Sequence, residues 1–139
     1  MSEERWRAFL VERPRTAKLA TIRKDGSPHV APIWIDHDDD GSVVFTTSKT
    51  SLKGKAIRRD PRVSLCVDDE QPPFAFVVIQ GTAEVSEDLD ALLRAATRIG
   101  GRYMGADRAD EFGRRNAVPG ELLVRVRPAQ VVAREGISD

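Results

Sequence analysis

The stretch AKLATIRKDGSPHVAPIWI, residues 17–35, predicts two β-strands joined by a tight turn. The strands meet at Asp25-Gly26, a dipeptide that tight hairpin turns favour. The loop DHDDDG separates the second strand from a third, SVVFTTS. Two further strands follow, RVSLCVD and FAFVVIQGTAEV, and the latter is long enough to bend at Gly81. The last strand, ELLVRVRPAQVVAR, begins after the Pro119-Gly120 break.

Helical patterns interrupt these strands. Residues 3–12 place Trp6, Phe9 and Leu10 at helical spacing. A short cationic helix is predicted at about residues 51–59, and the segment DRADEFGRRN predicts one or two further helical turns. Runs of strands interrupted by a few helices predict a mainly β, α+β fold, in which helices decorate an antiparallel β-barrel.

The segment SEDLDALLRAATRIGGRYM predicts the longest helix. Ser86 is its predicted N-cap, because the three acids that follow suit the positive end of the helix dipole. Apolar side chains at helical spacing form its predicted buried stripe: Leu89, Leu92, Leu93, Ala96 and Ile99.

The composition excludes several classes of function. The 139 residues predict one domain, 1–139, with enough apolar residues for a single core. Lys+Arg and Asp+Glu balance at 22 each, so the positive field of a nucleic-acid-binding protein is not expected.

The N-terminal stretch is not expected to be a signal peptide, and the apolar run FAFVVI is far shorter than the ~20 residues that span a bilayer. A soluble, cytoplasmic protein without nucleic-acid or membrane partners is therefore predicted.

No metal site is predicted. Asp36, Asp38 and Asp40 match the start of an EF-hand loop, but Thr47 stands where the loop needs a bidentate glutamate. Asp and Gly favour turns for their own reasons, so a solvated hairpin loop is expected there. The lone Cys66 lies in the apolar run VSLCV and is predicted to be a buried structural thiol.

The stretch TSKTSLKGKAIRRD, residues 47–60, places hydroxyl side chains directly ahead of the densest group of cations. From Lys49 to Arg62 there are six cations and one acid. Ser51 is positioned to cap the predicted helix, and Lys53 falls in the first turn, where unpaired N–H groups and the helix dipole favour an anion. The local pattern leaves two interpretations open, an anion-binding helix start and a solvated cationic helix.

Three segments in register resemble the flavin/deazaflavin oxidoreductase superfamily, which is built on the split β-barrel of pyridoxamine 5'-phosphate oxidase. They are LATIRKDGSPHVAPIWID, VVFTTSKTSLKGKAIRRDPRVSL and PPFAFVVIQGTAEV, and the similarity in order and spacing covers residues 6–85. Within the superfamily, the chain is most similar to the actinobacterial class that binds the deazaflavin coenzyme F420. The resemblance implies a split antiparallel β-barrel.

The resemblance also implies a cofactor site on the hydroxyl-rich stretch. Lys53 would hold the cofactor phosphate, with Ser51 and the helix N-terminus beside it. Thr46 and Thr47 would meet the ribityl chain or the edge of the ring. In this reading, the hydroxyls precede the cations because both surround a bound anion.

The ring of the cofactor would lie between two subunits. Pro32, Ile33 and Trp34 would line it from the second strand of the hairpin. Phe74 and Phe76 would come from the neighbouring subunit, since sites of this kind lie at a dimer interface. The ordinary alternative for all five residues is packing in a core.

The chain departs from the family pattern in two places. The family often has an arginine near the phosphate-binding lysine, where this chain has Ser51 and Leu52. Lys49, Lys55 and Arg58 are the candidates to replace that cation. The C-terminus, RPAQVVAREGISD, lacks the aromatic ending that is common in relatives.

The resemblance implies a homodimeric oxidoreductase in which reduced F420 passes hydride to an unsaturated or quinone-like small molecule. The alternatives are an FMN-dependent oxidase or reductase of the same fold and a non-catalytic flavin- or deazaflavin-binding protein. No catalytic side chain is assigned, because neither His29 nor His37 falls in a triad pattern. Solvent and Tyr103 are the candidates for the proton donor.

The tail of F420 gives a further expectation. A phospholactate and a polyglutamate chain add negative charge to this cofactor and require a basic groove open to solvent. The cations between Lys49 and Arg62, together with Arg23 and Lys24 near the first turn, are expected to form it.

Overall fold

In a computed structural model, which describes residues 1–139, helices surround a seven-stranded antiparallel sheet. The strands are β1 (Ala17–Ile22), β2 (Pro28–Ile33), β3 (Asp36–His37), β4 (Val43–Ser48), β5 (Arg62–Asp69), β6 (Ala75–Ser86) and β7 (Glu121–Glu135). The helices are α1 (Glu3–Val11), α2 (Leu52–Arg59), α3 (Leu89–Met104) and α4 (Ala109–Asn116), with a 3₁₀ turn at Ala106–Arg108. All predicted strands are present, and the two-residue β3 is an additional strand within the predicted loop. No helix has both the length and the apolar character needed to span a bilayer.

The predicted hairpin between β1 and β2 is confirmed. The strands pair antiparallel, with Ala17 opposite Ile33 and Ile22 opposite Pro28. Gly26 has a φ of 87°, in the left-handed region that glycine enters without steric penalty. The turn thereby fixes the register, and the register decides to which face of the sheet each β2 side chain points.

The sheet curls into a barrel. In the strand order β2-β1-β5-β6-β7-β4-β3, β2 and β4 lie near opposite ends. Ile33 of β2 and Phe45 of β4 nevertheless belong to one buried cluster, which also contains Trp6, Phe9 and Leu10 of α1. Only a curled sheet brings its two ends to a shared core. The predicted split barrel and the apolar face of α1 are both confirmed.

A bulge interrupts the pairing of β6 with β7. Their register shifts between Gln80 and Gly81. A side chain at Gly81 would overlap the backbone carbonyl of Arg127, so glycine is required for this close approach. The bulge is the predicted bend, and it increases the local twist of the strands as the barrel closes.

The structure corrects the predicted start of α3. Ser86 is the last residue of β6, opposite Leu123 of β7, and is not the N-cap. Asp88 caps the helix instead, and its carboxylate accepts a hydrogen bond of 3.0 Å from the Asp90 N–H. Pairing with β7 holds Ser86 in an extended conformation, so the helix begins later than the acidic pattern suggested.

The buried face of α3 also differs from the predicted stripe. Three of the five predicted residues are buried: Leu92, Ala96 and Ile99. Leu89 and Leu93 are 44% and 41% exposed, so their predicted burial is wrong. The small residues Ala91 and Gly100 belong to the buried face instead. Hydrophobic spacing located the helix correctly but missed the small residues Ala91 and Gly100 on its buried face.

Glycines allow α4 to pack directly onto α3. A side chain at Gly100 would overlap Cβ of Phe112, and one at Gly113 of α4 would overlap the hydroxyl of Thr97. The distance between packed helices depends on the side chains at the contact, so these glycines permit an unusually close approach. Phe112 is thereby pressed against the backbone of α3.

Gly100→Ala should lower the free energy of unfolding by about 1–3 kcal/mol, the usual range for an overpacked core. The new methyl group must displace Cβ of Phe112, which cannot move without α4, and this outweighs the ~1 kcal/mol that alanine gains in helix propensity. Gly101→Ala is the matched control, because its Cβ would lie 3.2 Å from Cβ of Ala109 and needs only a small adjustment. Urea unfolding measures both variants, and equal stabilities would contradict the close-packing argument.

Candidate functional site

A cavity of about 400 Å³ lies where β2, β4, α2, α3 and α4 meet. Five of the residues predicted to contact a cofactor line it: Pro32, Ile33, Trp34, Thr46 and Lys53. They come from the end of β2, from β4 and from the first turn of α2, while α3 and α4 supply the remaining wall. The residues predicted for the ring and for the phosphate therefore share one cavity.

Ser51 and Thr47 shape the loop and do not line the cavity. The Ser51 hydroxyl donates to the carbonyl of Ser48 at 2.7 Å and accepts from the Gly54 N–H at 3.0 Å, which confirms Ser51 as the N-cap of α2. Since a hydroxyl has one proton, the 2.9 Å contact between Ser51 and Thr47 requires Thr47 to donate. Neither hydroxyl has a proton left for a ligand.

The first turn of α2 offers positive groups beside the cavity. The backbone N–H groups of Leu52 and Lys53 have no acceptor within the protein. The Lys53 side chain lines the cavity and forms no ion pair. An anion placed here gains two N–H donors, the positive end of the helix dipole and an ammonium charge. The arrangement favours the first of the two interpretations, an anion-binding helix start.

Trp34 is held between two aromatic rings. It stacks on Tyr103, with ring centroids 5.0 Å apart and an interplanar angle of 3°, and meets Phe112 at 5.8 Å and 58°. The Tyr103 hydroxyl accepts from the Ile35 N–H at 3.1 Å and donates to the carbonyl of Arg15 at 2.7 Å. Because that proton is already donated, Tyr103 fixes the cavity wall and offers no free proton to a substrate.

Helix α4 contributes cavity residues that the sequence did not predict: Phe112, Arg115 and Asn116. The Asn116 amide donates to the Phe112 carbonyl at 3.0 Å, and the Arg115 guanidinium lies 5.6 Å from the centroid of the Phe112 ring. One sequence signal was available. Glycine inside a helix is unfavourable by about 1 kcal/mol, so Gly100 and Gly113 indicate a close helix contact that would bring α4 to the site.

An open groove of about 340 Å³ lies beside the start of α2. Four cations line it, Arg23 and Lys24 from the β1–β2 turn and Lys55 and Arg59 from α2, with Asp25 as the one acid. The structure therefore brings both cations of the turn together with two of the six cations between Lys49 and Arg62.

Phe74 and Phe76 do not line the cavity of their own chain. Phe74 is 39% exposed and has a φ of 63°, a left-handed conformation that bulky residues rarely adopt. Phe76 is half-buried on the outward face of β6, between Asp68 of β5 and Arg134 of β7. Both rings are thus available at the surface of the sheet, away from the residues of β2 in the same chain.

Cys66 does not belong to the buried core, which corrects its predicted place. Its neighbours Leu65 and Val67 are buried, so the alternation of β5 turns Cys66 to the outward face, where it is half-buried. Burial raises the pKa of its thiol, as does the Asp68 carboxylate, and the thiol is protonated at neutral pH.

The sequence profile described as pyridoxamine 5'-phosphate oxidase matches residues 2–134. The chain belongs to the pyridoxamine 5'-phosphate oxidase family. It is 35% identical over 98 residues to the F420H(2)-dependent biliverdin reductase of Mycobacterium tuberculosis, a match that covers 69% of this chain and 68% of that protein. It is 30% identical over 93 residues to the pyridoxine/pyridoxamine 5'-phosphate oxidase of Rhizobium leguminosarum bv. trifolii. That match covers 67% of this chain but only 45% of the oxidase.

Two solved structures share the fold of this chain over nearly its whole length. A conserved hypothetical protein from Mycobacterium tuberculosis superimposes with a TM-score of 0.87 and 30% identity, over 99% of this chain and 87% of that one. An F420 reductase superimposes with a TM-score of 0.69 and 27% identity, over 90% of this chain and 94% of that one.

In this family member, an acid lies near the lysine of the cavity. Glu121 begins β7 and is paired with Ser48 of β4. Burial raises the pKa of the Glu121 carboxyl group, and the positive charge of Lys53 partly opposes that rise. The folded protein therefore holds this proton more tightly than the unfolded chain does.

Glu121→Gln should remove a pH-dependent loss of stability. A carboxyl group whose pKa is raised by folding destabilises the folded state as pH rises from about 4.3, its ordinary value, through the raised value. The stability of the variant relative to the wild type should increase across this interval and then level off. Urea unfolding between pH 4 and pH 8 measures it, with Glu4→Gln as the exposed control. If the difference in free energy of unfolding between the variant and the wild type did not change with pH, folding would not raise the pKa of Glu121.

Proposed function

We propose that this protein binds the deazaflavin coenzyme F420 and uses its reduced form to transfer hydride to an unsaturated or quinone-like small molecule. The observation that carries the proposal is the presence, in one cavity, of Lys53 and the apolar residues Pro32 and Trp34, beside a helix start with free N–H donors. The similarity to an F420H(2)-dependent biliverdin reductase supports the same cofactor class.

Each part of the cofactor has a matching group in the cavity. The ammonium group of Lys53 and the N–H groups of Leu52 and Lys53 would bind the ribityl phosphate. Thr46 would contact the ribityl chain, and Pro32 and Trp34 would line the ring. The bound reduced cofactor supplies a hydride from its C5 position. Because Trp34 is held by two other rings, the surface against which the cofactor ring lies is already ordered, which favours a productive orientation.

Reduction of a double bond needs a proton as well as the hydride. We assign this proton to solvent. Tyr103 donates its hydroxyl proton to a backbone carbonyl, and the hydroxyl of Thr47 is used within the loop before α2. The role of the chain is to bind the cofactor, to orient its ring and to shield one side of it from water.

The basic groove beside α2 supports F420 over FMN. Both cofactors carry a ribityl phosphate, so Lys53 does not distinguish them. Only F420 has an anionic tail, and the groove of Arg23, Lys24, Lys55 and Arg59 matches its charge. The oxidases among the relatives keep an FMN-dependent enzyme as the first alternative. A non-catalytic protein that binds a flavin or deazaflavin is the second.

Parallel fluorescence titrations with F420 and FMN should show micromolar or tighter binding of F420 and weaker binding of FMN. Raising the salt concentration should weaken F420 binding more, because its tail is exposed to screening. The variant Lys24→Gln/Lys55→Gln should reduce this salt dependence, whereas Arg94→Gln, an exposed cation of α3, should not. Tighter binding of FMN, or yellow protein purified with FMN, would select the first alternative.

A turnover assay distinguishes an F420-dependent reductase from a non-catalytic cofactor-binding protein. Reduced F420 should be oxidised in the presence of at least one member of a panel of enones, quinones and tetrapyrroles, which includes biliverdin because of the similar reductase. Tight F420 binding without oxidation by any of them would favour the non-catalytic alternative.

We further propose that a second copy of this chain completes the site. The outward face of the sheet carries exposed aliphatic side chains, with Val30 62% and Val132 48% exposed. Pro32 lines the cavity and points to the same face as Val30, so a partner on this face would border the cavity. Phe76 lies on this face, and Phe74 precedes it in a conformation that carries about 1–3 kcal/mol of strain. Such strain at an exposed phenylalanine supports a role in contacts outside its own chain.

The chain should be dimeric at micromolar concentration by light scattering. Val30→Asp and Val132→Asp place charge on the proposed interface and should give monomers with weakened cofactor binding. Val118→Asp is the matched control, because Val118 is 42% exposed but lies between α4 and β7, and this variant should remain dimeric. A monomer that binds the cofactor as tightly as the wild type would contradict the shared site.

A further inference from the structure

Where the family often has an arginine near the phosphate-binding lysine, this chain has Ser51 and Leu52. The Leu52 side chain is 48% exposed at the border of the basic groove. The phosphate of FMN is a monoester that carries about −1.5 to −2 charges at neutral pH, so Lys53 alone would leave part of that charge uncompensated. A second cation that faces the cavity would balance this charge.

None of the three cations considered from sequence lines the cavity. The ammonium group of Lys49 lies 4.0 Å from the carboxylate of Glu87. Lys55 faces the basic groove. Arg58 belongs to the last turn of α2, at the far end of the helix from the free N–H groups. The replacement is therefore not on α2.

Arg115 of α4 is the second cation of the cavity. Arg115 and Lys53 are the only charged residues that line it, and no carboxylate does. Neither residue forms an ion pair within the protein. An anion between these two groups would be attracted by both positive charges.

The exposed Arg115 side chain lies beside the ring of Phe112. Phe112 is pressed against Gly100 of α3, and the Arg115 guanidinium lies 5.6 Å from the centroid of the Phe112 ring. A guanidinium group that lies over an aromatic face keeps its N–H edge free for hydrogen bonds. Its planar fork is suited to bind two oxygens of one phosphate group.

We infer that Arg115 and Lys53 bind the ribityl phosphate of the cofactor together, so that α4 supplies the cation that α2 lacks. The inference rests on the proposed function in one respect, that a ribityl phosphate cofactor occupies the cavity. It extends to both F420 and FMN, because each carries a phosphate on its ribityl chain, a monoester in FMN and a diester in F420. It also makes Arg115 a cofactor-binding residue contributed by a helix outside the barrel.

The test compares FMN with riboflavin, which differ only by the phosphate. Arg115→Gln should lower the affinity for FMN about tenfold and leave the affinity for riboflavin unchanged. Arg115→Lys keeps the charge but not the fork and should fall between the wild type and Arg115→Gln. Arg114→Gln is the matched control, since Arg114 is the neighbouring exposed cation of α4 and does not line the cavity. It should change neither affinity.

A double-mutant cycle tests whether both cations bind the same anion. Lys53→Ala alone should lower FMN affinity by one to two decades. Groups that share one partner are coupled, so the loss in Lys53→Ala/Arg115→Gln should differ from the product of the two single losses. Losses that multiply independently would overturn the shared-phosphate assignment.

Two other outcomes would overturn the inference. Unchanged affinities for both FMN and riboflavin in Arg115→Gln would show that Arg115 does not contact the phosphate. An equal loss for both ligands would assign Arg115 to packing against Phe112. Failure of the proposed function leaves this test intact, because flavin binding needs neither F420 nor turnover.

If the wild type binds neither FMN nor riboflavin, inorganic phosphate can serve as the test ligand instead. Inorganic phosphate, compared with chloride at equal ionic strength, should raise the melting temperature of the wild type and of Arg114→Gln but not that of Arg115→Gln. The same melting temperature shift in all three proteins would overturn the inference.

Discussion

The contact between Gly100 and Phe112 is the constraint on which the cavity depends. Because position 100 has no side chain, α4 lies directly on α3, and the Phe112 ring reaches Trp34 at the end of β2. Trp34 is in turn stacked on Tyr103, whose hydroxyl joins the end of α3 to the backbone of Ile35. Aromatic contacts at this point therefore join α3 and α4 to the end of β2. The order of the cavity wall is a consequence of how closely two helix backbones approach.

In the loop before α2, the hydroxyl groups and the positive groups have different roles, although they are neighbours in the sequence. The hydroxyls of Thr47 and Ser51 form hydrogen bonds with each other and with the backbone, and these bonds fix where the helix begins. The groups left over are the N–H donors of Leu52 and Lys53 and the charge of the lysine. The hydroxyl groups thus hold the helix start that presents these donors.

Sequence reasoning succeeded where the signal is local. The Asp25-Gly26 turn and the Ser51 cap depend on neighbouring residues only, and both are as predicted. It failed at Ser86, where pairing with a distant strand overrode a helix-start pattern. It also missed Arg115, which is far from Lys53 along the chain and meets the cavity only through helix packing. Charge and spacing indicate which groups a chain contains, but long-range packing decides which of them face each other.

The position of Trp34 gives the protein an optical reporter. The chain has two tryptophans, and Trp6 lies in the barrel core with α1, outside the cavity lining. A conjugated ring bound against Trp34 would absorb light in the range where indole emits and would quench that residue by energy transfer at short range. Unfolding would instead expose both indoles to water and shift their emission together. Intrinsic fluorescence can therefore distinguish an occupied cavity from a loss of structure without any added label.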